Sequence, residues 1–378
     1  MTDEIRPFVL RVEQSELDDL ARRLGMARWP EAETVRDWSQ GVPIASLRRL
    51  VDHWRRDYDW RRCEAMLNGW GQFKTHIDGL DIHFVHVRSS YPKALPLLLT
   101  HGWPGSVIEF HKVVGPLTDP VAHGGDASDA FDVVLPSLPG YGFSGKPDET
   151  GWGLQRIARA WAELMRRLGY TRYVAQGGDW GSGVTAELGV LAPEGLVGLH
   201  FNLLAVMPRD LGDSPTAEEQ AVAKAARAYA RTEWAYAQIQ ATRPQTLGYA
   251  LADTPVGQAA WIYEKLGKWS DGGGDPETVF SLDEMLDNIM LYWLTNSGAS
   301  SARLYWESLG EMRPKRIDLP VGYTKFPREN STPLRSWADR VFSNIIHWNE
   351  VAKGGHFAAF EQPALFVDEL RTCFRQLR

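Results

Sequence analysis

The sequence predicts an α/β fold built on a doubly wound, mostly parallel sheet that an all-helical insertion interrupts. Continuous apolar runs at 95–100, 131–135 and 173–175 are typical of strands buried on both faces. Helical spacing of apolar residues lies between them, most clearly over 154–168. From about residue 208 to 301 helix follows helix. This order indicates a sheet whose carboxyl edge, where α/β proteins bind ligands, is covered by a helical lid.

The composition is that of a globular protein. The chain has 378 residues, 44% of them hydrophobic, enough for one large core with an insertion or for two domains. The net charge is −7 with both signs interspersed, so no basic stripe suggests nucleic acid or an anionic membrane as a partner. Cys63 and Cys373 have neither metal-ligand spacing nor a disulfide pattern, which fits a reducing cytoplasm. We therefore expect a soluble cytoplasmic protein without a metal site.

The first 70 residues are predicted to be helical and amphipathic. Ser15 is expected to cap a helix that runs through Leu24, and Pro43 to open another that ends near Tyr58. A hairpin is predicted next, from two strands at 72–77 and 80–87 around an Asp-Gly turn.

The sequence also predicts where elements begin and end in the insertion and in the last part of the chain. Breaks are expected in the helical stretch at Pro215, Pro244, Pro255 and the glycine loop 272–274. Two further strands are predicted at 319–325 and 345–351, and a closing helix at 362–377.

A glycine-rich turn at 176–182 joins the third buried run to a predicted helix. Gly177 and Gly181 stand two residues before and after Asp179. Glycines at this spacing let a strand turn sharply into a helix, because the turn has no room for β-carbons. Such a turn holds its central side chain out at the top of the sheet, and here that side chain is a carboxylate instead of a serine hydroxyl. A plain turn with an N-capping aspartate is the alternative.

Two more residues complete a catalytic order. Asp179, Glu329 and His356 follow one another as nucleophile, acid and histidine do in α/β-hydrolases. A solvated carboxylate and a structural histidine are the plainer interpretations of the last two. Other carboxylates nearby compete with Glu329 for its role: Asp318, Asp339 and Glu350.

An aspartate nucleophile restricts the reaction. A carboxylate of ordinary pKa, about 3.9, is ionised at neutral pH and attacks without a base. Its attack on a saturated carbon yields an ester, whose carbonyl the backbone amides of the turn can polarise when water arrives. The histidine is then needed only to deprotonate that water, with Glu329 orienting the ring. The electrophile is therefore an oxirane or an alkyl halide.

The fate of the leaving group separates these two electrophiles. Opening an oxirane releases an alkoxide, which a phenol of pKa about 10 can protonate, whereas a halide needs only N–H donors. The insertion offers Tyr236 and Tyr305 as phenols, with Tyr229 and Tyr249 as rivals to Tyr236. Trp180, directly after Asp179, is compatible with either electrophile.

Together these motifs resemble the epoxide hydrolases of the α/β-hydrolase fold, in the microsomal and juvenile-hormone branch. The resemblance includes His101-Gly102-Trp103-Pro104-Gly105-Ser106 and Gly177-Gly178-Asp179-Trp180-Gly181. Further matching stretches extend over nearly the whole chain, at 6–8, 28–30, 58–61, 77–84, 326–329 and 354–361. The resemblance implies an enzyme that adds water to an oxirane to give a vicinal diol, with no cofactor.

Roles for individual residues follow from the same resemblance. It implies Asp179 as nucleophile, His356 as base and Glu329 as the partner of the base. It further implies Tyr236 and Tyr305 as the hydroxyl donors of the cap, and the backbone amides of Trp103 and Trp180 as the oxyanion hole. Membrane-bound members begin with an anchor, whereas this chain reaches the first shared motif at residue 6, so it resembles soluble bacterial members.

The resemblance also implies a division of the chain. An N-terminal segment, 1–70, wraps the cap and core; the hydrolase core is formed by 71–207 and 305–378; and a helical cap spans 208–304. The frequent tryptophans of the cap region favour a bulky or aromatic oxirane, and core packing is their plainer explanation.

Two alternatives stay open at this point. A haloalkane or haloacid dehalogenase would use the same scaffold and nucleophile. A non-catalytic protein that binds a hormone or metabolite would use only the fold. Neither the particular epoxide nor the existence of a homodimer follows from the residues.

Overall fold

A single mixed sheet runs through the protein. The computed structural model describes residues 4–208, 210–331 and 333–378, so residues 1–3 of the predicted N-terminal segment lie outside the described part. The strands are β1 (Ile5–Phe8), β2 (Gln72–Ile77), β3 (Leu80–Val87), β4 (Leu95–Thr100), β5 (Phe131–Pro136), β6 (Tyr173–Gly177), β7 (Leu196–Phe201), β8 (Val321–Lys325) and β9 (Ile345–Glu350). Their spatial order is β1-β2-β3-β5-β4-β6-β7-β8-β9. Pairing is antiparallel from β1 to β5 and parallel from there to β9.

Helices surround this sheet and form the insertion. They are α1 (Gln14–Gly25), α2 (Ile44–Arg56), α3 (Trp60–Gly69), α4 (Val114–Thr118), α5 (Leu154–Arg167), α6 (Asp179–Leu191), α7 (Ala217–Thr232), α8 (Ala235–Thr242), α9 (Pro244–Asp253), α10 (Pro255–Trp269), α11 (Leu282–Leu294), α12 (Gly298–Ser308), α13 (Arg335–Ala338), α14 (Ala358–Glu361) and α15 (Pro363–Phe374). The predicted α/β class, the hairpin with its Asp-Gly turn and the buried parallel strands are confirmed.

The strand order creates a crevice at the carboxyl ends of β4 and β6. From β4 the chain crosses to β5 on one side of β4, and from β5 it returns past β4 to β6 on the other side. Since parallel connections are right-handed, α4 and α5 lie on opposite faces of the sheet. Loops that leave β4 and β6 therefore diverge, and the space between them is where open α/β sheets bind ligands.

The start of the chain differs from its prediction. Residues Ile5–Phe8 form an edge strand that pairs with β2, although the segment was expected to be helical throughout. Four residues with a central proline carry almost no strand signal of their own, and pairing with β2 decides their conformation. Ser15 was wrongly predicted as a cap, because α1 begins at Gln14 with Glu13 at the N-cap position and no side-chain cap bond.

The N-terminal segment contacts both the sheet and the insertion. While β1 extends the sheet, α2 and α3 pack on α11 of the insertion. Asp287 of α11 accepts hydrogen bonds from the Tyr58 hydroxyl and from Arg62, both at 2.7 Å. Trp54 is buried in the same interface and directs its Nε1 towards Met290 at 3.3 Å.

The insertion comprises α7 to α12, between β7 and β8. Pro244 and Pro255 begin α9 and α10 as expected, because proline lacks only an amide that the first turn leaves unpaired. The expected limit at 304/305 falls inside α12. Among the described residues, no helix is both long enough and apolar enough to span a bilayer.

Candidate active site

Asp179 occupies a strained turn between β6 and α6. Its φ is +47°, in the left-handed region that side chains rarely adopt. A β-carbon on Gly177 would collide with the carbonyl oxygen of Gly181, and one on Gly181 with that of Thr100. The turn therefore needs both glycines, as the spacing predicted, and strain of this kind is common at functional sites.

The loop after β4 brings a hydrogen-bond donor to the carboxylate. The backbone amide of Trp103 donates to Oδ1 of Asp179 at 2.8 Å. Gly102 makes this approach possible, because a β-carbon there would overlap the Asp179 side chain. Trp180, the other predicted donor, follows Asp179 in the first turn of α6, and no hydrogen bond joins its amide to the carboxylate. The Trp103 amide therefore already bonds to the carboxylate, whereas the Trp180 amide lies near it without a hydrogen bond.

His356 and Glu329 complete the predicted constellation in space. Glu329 follows β8 and His356 follows β9, so both lie at the same edge of the sheet as Asp179. Nδ1 of His356 donates to Oε1 of Glu329 at 2.7 Å, and its Nε2 lies 3.4 Å from Oδ2 of Asp179. The Glu329 side chain is fully buried, whereas that of Asp179 is 20% exposed. A buried pair thus holds the imidazole against a partly open carboxylate.

The charge around His356 favours its protonated form. Burial alone lowers the pKa of an imidazole, but the carboxylates of Glu329 and Asp179 outweigh it and hold the pKa of His356 well above 6.5. The competing carboxylates Asp318, Asp339 and Glu350 are exposed and make surface ion pairs. Of these four carboxylates, Glu329 is therefore the one that bonds to His356.

Two tyrosines of the insertion lie over this site. The Tyr236 ring stacks on Trp103 with centroids 5.2 Å apart, and the Tyr305 ring meets Trp180 edge-on at 4.7 Å. The two tyrosine rings are 5.9 Å apart. Burial raises the pKa of both hydroxyl groups well above 10, and the charge of Asp179 contributes to each rise. Both therefore carry a proton at neutral pH.

The structure also separates Tyr236 from its two rivals. Tyr249 is 70% exposed, which removes it from the site. Tyr229 is half-buried and packs on Trp234, with ring centroids 6.1 Å apart. No ring contact joins Tyr229 to Trp103 or Trp180, whereas Tyr236 stacks on Trp103 directly.

Two polar residues near the site were not predicted. Nζ of Lys265 lies 4.4 Å from the centroid of the Tyr236 ring, in an ion pair with Glu264, and its side chain is almost fully buried. A cation over the ring stabilises negative charge on it. No local sequence signal marks Lys265, because only the packing of α10 against α8 brings it to Tyr236.

Glu109 is the second unpredicted residue. It lines a cavity of about 20 Å³ together with Asp179, Asn202 and His356, room for about one water molecule. Burial raises the pKa of Glu109 to about 8, although the nearby His356 opposes the rise. The Ser-x-x-Glu spacing from Ser106 could have marked it as a capping-box residue, but not as a neighbour of Asp179.

No group of three or more histidine, cysteine, aspartate or glutamate side chains within the described ranges could hold a metal ion. What the site does contain is a carboxylate at a nucleophile turn, a histidine–glutamate pair and buried phenols. On this fold, those features define an α/β hydrolase that carries an aspartate where serine is more familiar.

Comparison with known proteins places the chain within that class. A family model described as "Epoxide hydrolase N terminus" matches residues 5–110, and one described as "alpha/beta hydrolase fold" matches residues 96–225. The chain is 38% identical to "Epoxide hydrolase 1" of Sus scrofa, over 98% of this chain and 88% of that protein. It is 60% identical to a "Putative epoxide hydrolase" of Stigmatella aurantiaca, over 99% of this chain and 86% of that one. The chain belongs to the epoxide hydrolase family and is a hydrolase of epoxides.

Solved structures agree with this assignment. The juvenile hormone epoxide hydrolase of Bombyx mori superimposes with a TM-score of 0.90 at 29% identity, covering 99% of this chain and 95% of that one. The epoxide hydrolase of Aspergillus niger gives a TM-score of 0.88 at 32% identity, over 99% and 97% of the two chains. The predicted family and the α/β-hydrolase fold are confirmed.

Proposed function

We propose that the enzyme opens an oxirane through a covalent ester on Asp179 and then hydrolyses that ester with His356 as the base. The observation that carries this proposal is the asymmetry of the Asp179 carboxylate. Its Oδ1 accepts the Trp103 amide, while Oδ2 lies 3.4 Å from Nε2 of His356, and the side chain as a whole is 20% exposed. One oxygen is thus held by a donor and the other is available to bond to carbon.

In the first step, Oδ2 of Asp179 forms a bond to an oxirane carbon as the carbon–oxygen bond of the ring breaks. The oxygen released takes a proton from the hydroxyl group of Tyr236 or Tyr305. Both phenols belong to the cap and pack on the two tryptophans beside Asp179, so we expect the oxirane to bind between them and the carboxylate. Lys265 over the Tyr236 ring stabilises the phenolate that remains.

In the second step, water attacks the carbonyl carbon of the ester while Nε2 of His356 takes its proton. The former Oδ1 becomes the oxyanion and stays beside the Trp103 amide. The diol oxygen then leaves with a proton from the imidazolium, and Asp179 keeps one oxygen from water. The second proton of that water leaves the Asp179 carboxyl group and restores the tyrosine phenol. Esterification has already removed the charge of Asp179, one of the causes of the raised pKa of His356, so the imidazole becomes a free base more readily.

An aromatic cluster between the cap and the core loop supports a bulky or aromatic oxirane. Trp103 is the centre of an aromatic cluster, with Tyr236, Tyr305, Trp261 and Trp269 at ring-centroid distances from 5.2 to 6.5 Å. Flat apolar walls of this kind favour substrates that stack on them. Paired phenols, in place of paired indole donors, also support an oxirane over an alkyl halide as the electrophile.

We also propose the four-part organisation of the chain, with the cap continuing to the end of α12 at residue 308. The continuity of α12 to Ser308 supports this limit, since a boundary at 304/305 would divide one helix. The buried free thiols of Cys63 and Cys373 support a cytoplasmic location.

A single turnover in ¹⁸O-water tests the covalent route. With enzyme in excess over styrene oxide, the label is expected in the peptide that contains Asp179, and the first diol released is expected to contain none. Mass spectrometry of the digested protein and of the diol measures both. Label that passes directly into the first diol would rule out the ester. As a second measurement, His356→Gln is expected to accumulate the ester, seen as a gain of one substrate mass by the intact protein.

A further inference from the structure

A short segment of the cap is bound to the loop that carries His356. We call residues 269–271, at the end of α10, the strap. The backbone amide of His356 donates to the carbonyl oxygen of Trp269 at 2.9 Å, and the amide of Gly354 donates to Oδ2 of Asp271 at 2.9 Å. The strap therefore contacts the backbone of the histidine itself and not only the side chains around it.

Glu361 connects the strap to the same loop from the other side. Its carboxylate accepts the amides of Gly355 and Phe357, both at 3.0 Å, and the amide of Asp271 at 2.8 Å. The two loop donors are the residues immediately before and after His356. One buried carboxylate thus holds the backbone amides of the residues on either side of the histidine and ties them to the cap.

The strap also reaches the neighbour of the second triad residue. Asp271 pairs with Arg328 at 3.4 Å, and the Arg328 amide donates to the carbonyl oxygen of Gly354 at 3.1 Å. Gly355 admits no side chain, because a β-carbon there would collide with the carbonyl oxygen of Trp269. A single set of contacts therefore fixes the position of the Glu329 loop relative to the His356 loop.

We propose that Glu361 and Asp271 are positioning residues for hydrolysis of the ester, and that the strap makes the cap part of the scaffold of the catalytic base. This inference rests on the proposed covalent route, since His356 acts only in its second step. Alkylation uses Asp179, the Trp103 amide and the tyrosine hydroxyls, none of which Glu361 or Asp271 contacts. Loss of either positioning residue should therefore slow one step and spare the other.

The setting of Glu361 agrees with such a role. Burial raises the pKa of Glu361 to about 7, although the three amide donors lower it. A buried acid is costly to fold, and an amide side chain of the same size would avoid that cost. What glutamine cannot do is accept from all three amides, since one of its terminal atoms is itself a donor.

The experiment compares Glu361→Gln with Glu369→Gln. Glu369 is a matched control: it accepts three hydrogen bonds from Thr324, His347 and Asn349, and it lies further along the same C-terminal segment. Rapid-quench single turnovers with styrene oxide measure alkylation and hydrolysis separately. For Glu361→Gln we expect alkylation within about threefold of the wild type and hydrolysis slower by about 10- to 100-fold, because small misplacements of a base cost rates of this size.

Steady-state kinetics supply a second readout. When hydrolysis alone slows, kcat and KM fall together while kcat/KM is retained, and the ester accumulates as a gain in intact mass. Equal loss of both steps in Glu361→Gln, or the same pattern in Glu369→Gln, would show a merely structural role and overturn the inference. Asp271→Asn is measured by the same criteria. Should Glu361→Gln fail to fold, the result for Asp271→Asn decides the test.

The His356→Gln variant keeps this inference separate from the proposed function. If His356→Gln accumulates the ester and the Glu361 and Asp271 variants do not, only the positioning role fails. If His356→Gln accumulates none, the covalent route fails and the inference fails with it.

Discussion

Nδ1 of His356 donates a hydrogen bond to Glu329 at 2.7 Å, and the glutamate side chain has no contact with solvent. This bond fixes the tautomer and the orientation of the ring, so that Nε2 faces Asp179. The other oxygen of Glu329, Oε2, is buried without a hydrogen-bond partner. The carboxylate charge is therefore little screened where it acts on the imidazole.

Replacing Glu329 with glutamine tests this coupling. The amide keeps the shape but removes the charge that raises the pKa of His356, so that pKa falls. Because hydrolysis needs the neutral imidazole, the rate increases with pH through this pKa, and the acid limb of the kcat profile should move to lower pH. The plateau should drop by about 100-fold or more, since the amide orients the ring less well. An unmoved limb in the pH–rate profile would contradict the coupling.

The two cap tyrosines should act in alkylation. Tyr236→Phe and Tyr305→Phe each remove one proton donor and should lower the single-turnover alkylation rate by about 10- to 100-fold, with a loss of about 1000-fold or more in the double variant. Tyr263→Phe is the control, because this cap tyrosine bonds to Glu277 away from the site. Undiminished alkylation in the double variant would remove the tyrosines from the mechanism.

Gly102 should be needed for activity more than for stability. In Gly102→Ala the new methyl group would overlap the Asp179 side chain, which must then turn away from the Trp103 amide. We expect kcat/KM to fall by about 100-fold, as when one oxyanion donor is lost, with a much smaller effect on thermal unfolding. Gly69→Ala is the control for a glycine-to-alanine change, because a β-carbon on Gly69 would meet no atom within 4 Å.

Glu109 should make stability depend on pH. Its folded pKa of about 8 lies above the ordinary value of 4.5, so ionisation is harder in the folded protein. The stability that it contributes is present at low pH and is lost as pH rises from about 4.5 to about 8. Relative to wild type, Glu109→Gln should therefore gain up to about 5 kcal/mol between pH 4.5 and pH 9. Urea unfolding at both pH values measures this difference.

Local pattern was sufficient for most elements and for the turn at Asp179. The apolar runs at 95–100 and 131–135 are typical of strands by themselves, and the Asp-Gly pair is enough to predict the hairpin turn. Gly177 and Gly181 mark Asp179 because the collisions that exclude side chains there arise within the turn and the strand beside it. The strand at residues 5–8 carried no such signal, since its conformation depends on a partner more than 60 residues away.

What the sequence determined alone is most of the elements, the turn at Asp179 and the family. Tertiary structure alone selected Glu329 over Asp318, and Tyr236 over Tyr249, by burial and by distance to His356 and Trp103. It also brought Glu361 to the backbone of His356. The reason is physical: turns and amphipathic helices are set by neighbours in the chain, whereas a triad is assembled by sheet order and cap packing, which join residues far apart in sequence.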